Sequence, residues 1–289
     1  MGRFSIGVIS DTFGLSLKEG ISVSKKLGAS GIQIYAPQDE LSLELTKAER
    51  KEILDFIKSE GLVVSAICGQ IPGHGLCIAQ ENPAKIKSLM KVLELTMDLE
   101  CNIVTTHIGV IPEDKSDPTW GVMLDACKEL SEHASGLGAC YAIETGPEKA
   151  TVLKEFLDNI PTKGMKVNFD PANMVMVTDD DPVKGVHTLK DYIVHTHAKD
   201  GIMNKYFGPD VVYNAFAVGG VEALLALEGA FTETPIGQGN VRWNEYLKAL
   251  DDIGFNGFLT IEREGAEDPQ GDVKIGIDFL KKKLAELSL

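Results

Sequence analysis

The segments that decide the fold are CYAIE (140–144), MKVNFD (165–170), YIVHTHA (192–198) and GFLTIE (257–262). Each is a short, largely apolar run that ends in polar residues, which is the pattern of a parallel strand buried on both faces. Four similar runs precede them, at 4–9, 31–35, 62–67 and 102–107. The pattern therefore predicts eight strands of one type.

Helical patterns separate these strands. Thr46 and Glu49 form the capping-box pattern of a helix that runs to about residue 60, where Gly61 ends it. Pro83 and Pro118 stand in the first turn of two further helices, which reach about residues 100 and 137. Other helices are predicted at 151–159, 181–189, 243–253 and 272–287, with an uncapped candidate at 17–27.

Eight strands that alternate with helices predict right-handed βαβ units and a single (β/α)8 TIM barrel over residues 1–289. A doubly wound open sheet is the alternative arrangement of the same units. Segment 201–239 is too long for an ordinary connection and follows the seventh strand, so it is predicted to lie over the barrel mouth. Its aromatic residues Tyr206, Phe207 and Phe216 are expected to contact substrate or a neighbouring subunit.

The composition limits the classes of partner. A net charge of −15 without a cluster of Lys and Arg argues against nucleic acid as a partner. The five cysteines form no CxxC pair, so reduced thiols are expected rather than structural zinc or disulfides. The start of the chain, MGRFSIGVISDTFG, has too short an apolar run for a signal peptide, and no run is long enough to span a membrane. We expect a cytoplasmic protein, as a monomer or as a homo-oligomer such as a dimer or tetramer.

Metal-binding side chains follow four consecutive predicted strands. These are Glu144, Asp170, His197 and Glu262. The carboxyl ends of barrel strands meet at one face, so the sequence predicts a site for one divalent ion there. Three carboxylates and one imidazole suit Mn²⁺ best, with Mg²⁺, Co²⁺ or Zn²⁺ as alternatives.

Each of these residues alone has a simpler interpretation. A carboxylate at a strand end is more often a loop charge or a helix cap, and a lone histidine is more often a hydrogen-bonded core residue. The joint pattern is stronger, because burying three carboxylates together without a cation is costly. His195 lies on the same strand face as His197 but further from the mouth, so we expect it to fill the barrel.

Motifs along the chain resemble the sugar phosphate isomerase/epimerase family with a xylose-isomerase-like barrel. They are SIGVISDTF, IETG, NFDPANM, HTHAKD, PIGQGNVRW and FLTIERE. That family includes ketose 3-epimerases and inosose dehydratase, and endonuclease IV-type nucleases share its barrel. The resemblance implies the same four metal ligands and a second role for Glu144 and Glu262, which move the substrate proton in the ketose epimerases.

Two positions depart from the ketose epimerase pattern. Asn173 stands where the epimerases have a substrate-reading His, and Met203 stands where they have an Arg. Lys199 and Asp200 follow the metal-binding His instead, as in the dehydratase-like branches. Both departures argue against a plain ketose 3-epimerase.

Five residues near the mouth are predicted to bind substrate: His74, His107, Asn173, Lys199 and Arg263. Either histidine could equally be an ordinary loop residue. The GQGNVRW segment (237–243) resembles the family's loop before the last outer helix, and it does not match a GxGxxG dinucleotide motif.

The leading functional hypothesis is a metal-dependent isomerase or epimerase that abstracts a proton beside the carbonyl of a sugar or sugar derivative. A dehydratase or lyase acting on a keto-sugar or keto-inositol is the alternative. A nuclease of the endonuclease IV type would need more histidines than this chain provides. A non-catalytic sugar-binding barrel would have no use for the ligand set.

Overall fold

The computed structural model describes residues 3–289 except 226 and 228. The predicted features at the first two residues and at these two positions of the insertion lie outside the described residues. Ten strands are present in the described part: β1 (Ser5–Ile9), β2 (Gly31–Ala36), β3 (Val63–Gly69), β4 (Ile103–Thr106), β5 (Cys140–Glu144), β6 (Met165–Phe169), β7 (Ile193–Ala198), β8 (Asp200–Met203), β9 (Phe231–Thr234) and β10 (Phe258–Ile261).

Eight of the ten strands close into a parallel barrel. Its order is β1-β2-β3-β4-β5-β6-β7-β10, and β10 pairs with β1 to complete the circle. The predicted (β/α)8 barrel is therefore confirmed, and the alternative of an open doubly wound sheet is wrong. All eight strands correspond to the apolar runs identified in the sequence.

Helices connect the barrel strands on the outside. Across the described residues they are α1 (Leu17–Leu27), α2 (Lys47–Ser59), α3 (Asn82–Asp98), α4 (Pro118–Gly136), α5 (Ala150–Asp158), α6 (Pro171–Asn173), α7 (Pro182–Thr188), α8 (Pro209–Leu225), α9 (Trp243–Asp252) and α10 (Pro269–Leu287). A 3-10 turn (Ser10–Phe13) and a π turn (Met174–Thr178) follow β1 and α6.

The amino-terminal caps of two helices differ from the sequence prediction. The helix at 17–27 is capped, because the backbone N–H and hydroxyl of Ser16 both donate to the Glu19 carboxylate. The description of this helix as uncapped was wrong. The last helix begins at Pro269 rather than at 272, since Asp268 accepts a hydrogen bond from the Gly271 N–H and so caps it earlier.

The long insertion between β7 and β10 contains its own secondary structure. β8 and β9 form a two-stranded antiparallel sheet, and α8 lies between them in the chain. Gly220 has φ +63° and ψ −155°, which interrupts α8 with a kink that a residue with a side chain rarely adopts. The described part of the insertion is thus a folded segment with its own sheet and helix rather than an irregular loop.

The apolar core lies between the barrel and its outer helices. Ile32, Ile34, Val104 and Ile143 from the strands are fully or almost fully buried, as expected for residues in a parallel barrel. No helix in the described residues is long and apolar enough to cross a membrane.

Candidate metal centre

The four predicted ligands lie together at the carboxyl end of the barrel. Glu144, Asp170, His197 and Glu262 are all buried, and one ligand atom from each lies within 4.8 Å of the others. They come from four neighbouring strands, β5, β6, β7 and β10, or from the residue that follows each. Two donors on one ion can be separated by at most twice a bond length, roughly 4–5 Å for bonds of about 2.0–2.5 Å. The cluster has the size of a single ion site.

Imidazole Nδ1 of His197 lies nearest the centre of this cluster. It is 3.2 Å from Glu262 Oε2, 3.5 Å from Glu144 Oε2 and 3.6 Å from Asp170 Oδ2. The pairing of β7 with β10 sets this arrangement, because it places His197 beside Thr260, two residues before Glu262.

Asp170 uses its two carboxylate oxygens differently. Oδ1 caps α6 by accepting hydrogen bonds from the N–H groups of Ala172 (2.8 Å) and Asn173 (2.9 Å). Oδ2 is buried and has no hydrogen-bond partner. A buried carboxylate oxygen without a partner is costly, and a bound cation would satisfy it. Asp170 is therefore both a helix cap and a suitable ligand.

The other ring nitrogen of His197, Nε2, contacts two side chains of other strands. Nε2 lies 3.2 Å from Gln33 Oε1 on β2 and 3.1 Å from the side-chain amide of Asn168 on β6. The Gln33 oxygen can accept the Nε2 proton, which leaves Nδ1 free to bind a cation. Asn168 also donates to Glu144 Oε2 at 3.1 Å, so one amide contacts two members of the cluster.

The electrostatics of the cluster are those of a site that attracts positive charge. Burial by itself would lower the pKa of His197, but the carboxylates of Glu262 and Glu144 outweigh it and hold this pKa well above its usual range. Burial would likewise raise the pKa of Glu144, yet His107 and His197 keep it well below normal. A divalent cation would take the place of these protons and compensate the carboxylates directly.

The donor set fits a divalent ion. Three carboxylates and one imidazole suit the harder divalent metals, and the unpartnered Oδ2 of Asp170 points to a missing positive partner.

His107 and Asn173 both contact Glu144. Nε2 of His107 lies 3.3 Å from Glu144 Oε1, and the side-chain amide of Asn173 donates to the same oxygen at 2.9 Å. Burial would lower the pKa of His107, but the Glu144 carboxylate raises it above its usual value. Both residues also line the cavity above the cluster, where predicted substrate-binding residues are expected.

Lys199 is buried among three carboxylates. Its Nζ lies 2.9 Å from Glu262, 3.1 Å from Glu264 and 3.5 Å from Glu233. Burial would lower the pKa of Lys199, but these three carboxylates hold it well above its usual range. Lys199 therefore stays protonated and fixes Glu262 Oε2 in place.

Arg263 has a different position from the one predicted. Its guanidinium binds Asp272 at 2.9 Å and Glu233 at 2.9 Å, and it is not among the residues that line the cavity. The side chain holds the insertion and α10 together. The structure thus gives Arg263 a structural role in place of the predicted contact with substrate.

A cavity of about 630 Å³ opens above the cluster. Its floor includes Glu144 and Glu262, and α8 of the insertion covers one side with Tyr213 and Phe216. Tyr206 is 57% exposed and does not line this cavity.

His74 lies in an adjoining groove of about 700 Å³ rather than above the cluster. Phe207 packs against the core and under Lys205, whose Nζ is 4.7 Å from the ring centre. Of the three aromatic residues singled out in the insertion, Phe216 alone is at the mouth.

The 237–243 loop is tied to the barrel by Asp200. The Asp200 carboxylate accepts hydrogen bonds from the N–H groups of Gly237 (2.8 Å) and Val241 (3.1 Å) and from the indole of Trp243 (2.9 Å). A Cβ atom at Gly239 would collide with the same carboxylate, so this position requires glycine. Asp200 organises the loop and does not line the cavity.

Gln33, Asn168 and Glu233 are residues of the site that the sequence reasoning missed. Gln33 is a polar residue in the middle of an apolar strand, and Asn168 precedes Asp170 by two positions and so shares its strand face. Both signals were available in the sequence. Glu233 lies on β9 within the insertion and had no comparable signal.

The barrel agrees with the comparisons to known proteins. The chain belongs to the xylose isomerase-like TIM barrel family, whose model matches residues 21–283. Over 217 residues it is 24% identical to an uncharacterized protein of Methanocaldococcus jannaschii. That match covers 70% of this chain but 65% of the curated relative, slightly under two thirds of its length.

Solved structures show the same fold. A xylose isomerase domain protein from Planctomyces limnophilus has a TM-score of 0.80 at 23% identity, covering 99% of this chain and 98% of that chain. A probable 3-DHS dehydratase from Bacillus anthracis has a TM-score of 0.75 at 17% identity, covering 96% and 99%. A D-psicose 3-epimerase from Clostridium cellulolyticum H10 has a TM-score of 0.72 at 16% identity, covering 97% and 99%. At these identities the similarity is one of fold.

Proposed function

We propose that this protein is a divalent-metal-dependent isomerase or epimerase that moves a proton beside the carbonyl of a sugar or sugar derivative. The observation that carries the proposal is the buried cluster with its unpartnered Asp170 oxygen, at the floor of a cavity large enough for a small molecule. Mn²⁺ is the preferred ion, with Mg²⁺, Co²⁺ or Zn²⁺ as alternatives.

Glu144, Asp170, His197 and Glu262 would hold the ion. When bound, a divalent ion polarises a substrate carbonyl and a neighbouring hydroxyl, which acidifies the proton on the carbon beside them. The remaining chemistry belongs to the side chains around the cavity.

Glu262 is well placed to accept a proton. Its contacts with Lys199 and His197 all use Oε2. Within the described structure these contacts leave Oε1 available to substrate. Its pKa is lowered to about 2, because Lys199 and His197 together outweigh the effect of burial, so it is ionised at neutral pH. An ionised carboxylate facing the cavity can act as a general base.

Glu144 would act from the other side of the substrate. It lies on β5, three strands around the barrel from β10, and both carboxylates line the cavity. Reprotonation from the opposite face gives an epimer, and reprotonation on the neighbouring carbon gives an isomer. His107 and Asn173, which contact Glu144, would bind substrate hydroxyls, and α8 would exclude water from the closed site.

Metal binding is the first test. Equilibrium dialysis against Mn²⁺ should give close to one ion per chain, and Asp170→Ala should abolish binding. Asp191→Ala removes a carboxylate from an exposed position and should bind metal as the wild type does. A wild-type protein that retains no ion after dialysis would refute the metal-dependent mechanism.

Proton abstraction is the second test. A panel of ketoses and keto-sugars incubated with the metal-loaded protein in heavy water should gain deuterium at the carbon beside the carbonyl. Glu262→Gln or Glu144→Gln should stop the exchange, whereas Glu267→Gln, the same change at an exposed site, should leave it unchanged. If a Gln variant binds metal and still exchanges at the normal rate, the glutamate that it replaces is not the base.

A dehydratase or lyase is the second candidate function. The observation in its favour is the ammonium of Lys199 beside Glu262, because a fixed positive charge next to the base would stabilise the negative charge that develops on a departing hydroxyl oxygen. The two reactions differ in their products. An epimerase or isomerase conserves the mass of the substrate, whereas a dehydratase lowers it by one water, which mass spectrometry distinguishes directly.

A further inference from the structure

We infer that the substrate is an uncharged sugar derivative whose apolar substituent extends from the metal cluster into the groove beside α8. This inference rests on the proposed function and specifies the substrate class of the same site. Three features support it: the charge of the cavity, the state of its potential anion-binding groups, and the apolar groove that adjoins it.

The charged groups of the cavity are unfavourable for an anion. Four carboxylates line it, those of Glu144, Glu233, Glu262 and Glu264, and Lys199 is the one Lys or Arg among the described lining residues. Its Nζ is already shared by Glu233, Glu262 and Glu264. A phosphorylated substrate would have to compete with these carboxylates for Lys199, so the cavity offers a phosphate no free lysine or arginine partner among the described residues.

The backbone groups that bind phosphate in many TIM barrels are also occupied here. Such sites commonly use N–H groups in the loops after the seventh and eighth barrel strands. In this chain the N–H groups of Gly237 and Val241 donate to the Asp200 carboxylate. The N–H of Glu264, after the eighth barrel strand, donates to Glu233 Oε1 at 2.7 Å. These N–H groups already donate to carboxylates of the protein itself and are not free to bind a phosphate.

Apolar side chains also line the cavity. Val212 and Phe216 come from α8, Phe231 from β9, Met176 from the π turn and Ile71 from the segment after β3. A free sugar carries a hydroxyl on nearly every carbon and would leave these surfaces without matching contacts. A hydrophobic substituent would bury them.

The adjoining groove extends this apolar surface. Ile71, His107, Tyr213 and Phe216 line both the groove and the cavity, so the two spaces meet at these residues. Beyond this junction the groove continues along apolar residues that include Val110. The cavity alone, at about 630 Å³, has the volume of sites that enclose ligands larger than one sugar ring.

Binding of paired glycosides tests the inference. The probes are methyl and phenyl glycosides of the 3-keto forms of glucose, galactose, mannose and xylose, which keep a carbonyl beside a carbon-bound proton, together with the 6-phosphates of the three hexoses. Calorimetric titration of the Mn²⁺-loaded protein should show at least one phenyl glycoside that binds tenfold or more tightly than its methyl partner, since burial of an aromatic ring contributes at least that much. No hexose 6-phosphate should bind more tightly than its parent sugar.

Two variants locate the effect. Phe216→Ala should lower the preference for phenyl over methyl at least threefold, whereas Tyr206→Ala, an exposed aromatic residue of the same insertion, should leave it unchanged. The inference is overturned if no phenyl glycoside binds more tightly than its methyl partner, including the case in which none binds. It is also overturned if any 6-phosphate binds more tightly than its parent sugar.

The same titrations on chelator-treated protein separate this inference from the proposed function. A protein that binds no metal but retains the phenyl preference would refute the metal-dependent mechanism and leave the apolar groove as a binding site. A protein that binds one ion without any phenyl preference would leave the mechanism intact and refute the substrate class.

Discussion

The Asp200 carboxylate holds the 237–243 loop, and replacement by asparagine tests that role quantitatively. Oδ1 accepts the N–H groups of Gly201 (2.9 Å) and Val241 (3.1 Å), and Oδ2 accepts Gly237 N–H (2.8 Å) and the indole N–H of Trp243 (2.9 Å). Asparagine has the same shape, but its NH2 group cannot accept a hydrogen bond, so in either orientation one of the two pairs of donors loses its acceptor. Two hydrogen bonds to a charged group are lost, at about 1.5–3 kcal/mol each. We expect a loss of about 3–6 kcal/mol in the free energy of unfolding.

Urea unfolding followed by tryptophan fluorescence measures this loss, because Trp243 is one of the two tryptophans and reports on the loop itself. Asp252→Asn makes the same change of charge at an exposed position on α9 and should stay within about 0.5 kcal/mol of the wild type. A loss of less than about 1 kcal/mol for Asp200→Asn would refute the reasoning, since it would mean that the four donors find other partners at no cost.

Three further predictions concern stability. Burial raises the pKa of Glu148 to about 8, so its contribution to stability is complete below its ordinary pKa of 4.5 and is lost as pH rises through 8. Glu148→Gln should remove this pH-dependent loss, which amounts to at most about 5 kcal/mol, and parallel pH–stability curves of the two proteins would contradict the prediction. Gly239→Ala should lower the unfolding free energy by about 1–3 kcal/mol, because its methyl group collides with Asp200, whereas Gly121→Ala on α4 has open space and should not; equal melting temperatures would argue against the collision. Mn²⁺ at about a hundred times its dissociation constant should add about 2.7 kcal/mol to the wild type and nothing to Asp170→Ala, with a chelator reversing the gain.

The barrel could be predicted from the sequence because its signals are local. Each strand is an apolar run of a few residues, and its last residues alone determine what reaches the mouth. Glu144, Asp170, His197 and Glu262 were therefore identifiable one strand at a time. Closure of the barrel then brought them together without any further information from distant parts of the chain.

The ion pairs around Lys199 could not be predicted in this way. Glu233 lies on β9, a strand of four residues whose partner β8 is equally short, and neither has a strong strand pattern. Arg263 was predicted to bind substrate, yet its partners Glu233 and Asp272 lie on other elements. Such contacts depend on how the insertion packs, which no local pattern encodes.

Helix α8 and the cap of α1 were both missing from the sequence prediction, for different reasons. The segment VVYNAFAVGG within α8 is apolar on all sides and contains two glycines, so it lacks the one-sided pattern of a surface helix. At α1, in contrast, Ser16 and Glu19 have the spacing of a capping box. That signal was present in the sequence and was overlooked.

The four cluster residues all lie on or directly after β5, β6, β7 and β10. The chain can therefore be divided at about residue 139 into a first half without them and a second half with all of them. The second half carries the four residues of the proposed cation site, whereas the first half supplies one wall of the cavity through Tyr35, Ile71 and His107. Recombination at this point between relatives should exchange that wall while the four cluster residues and α8 stay together. Gln33 is the one residue of the first half to keep in such chimeras, because it orients the His197 ring. Laboratory evolution that varies this wall can therefore begin with the amino-terminal half alone.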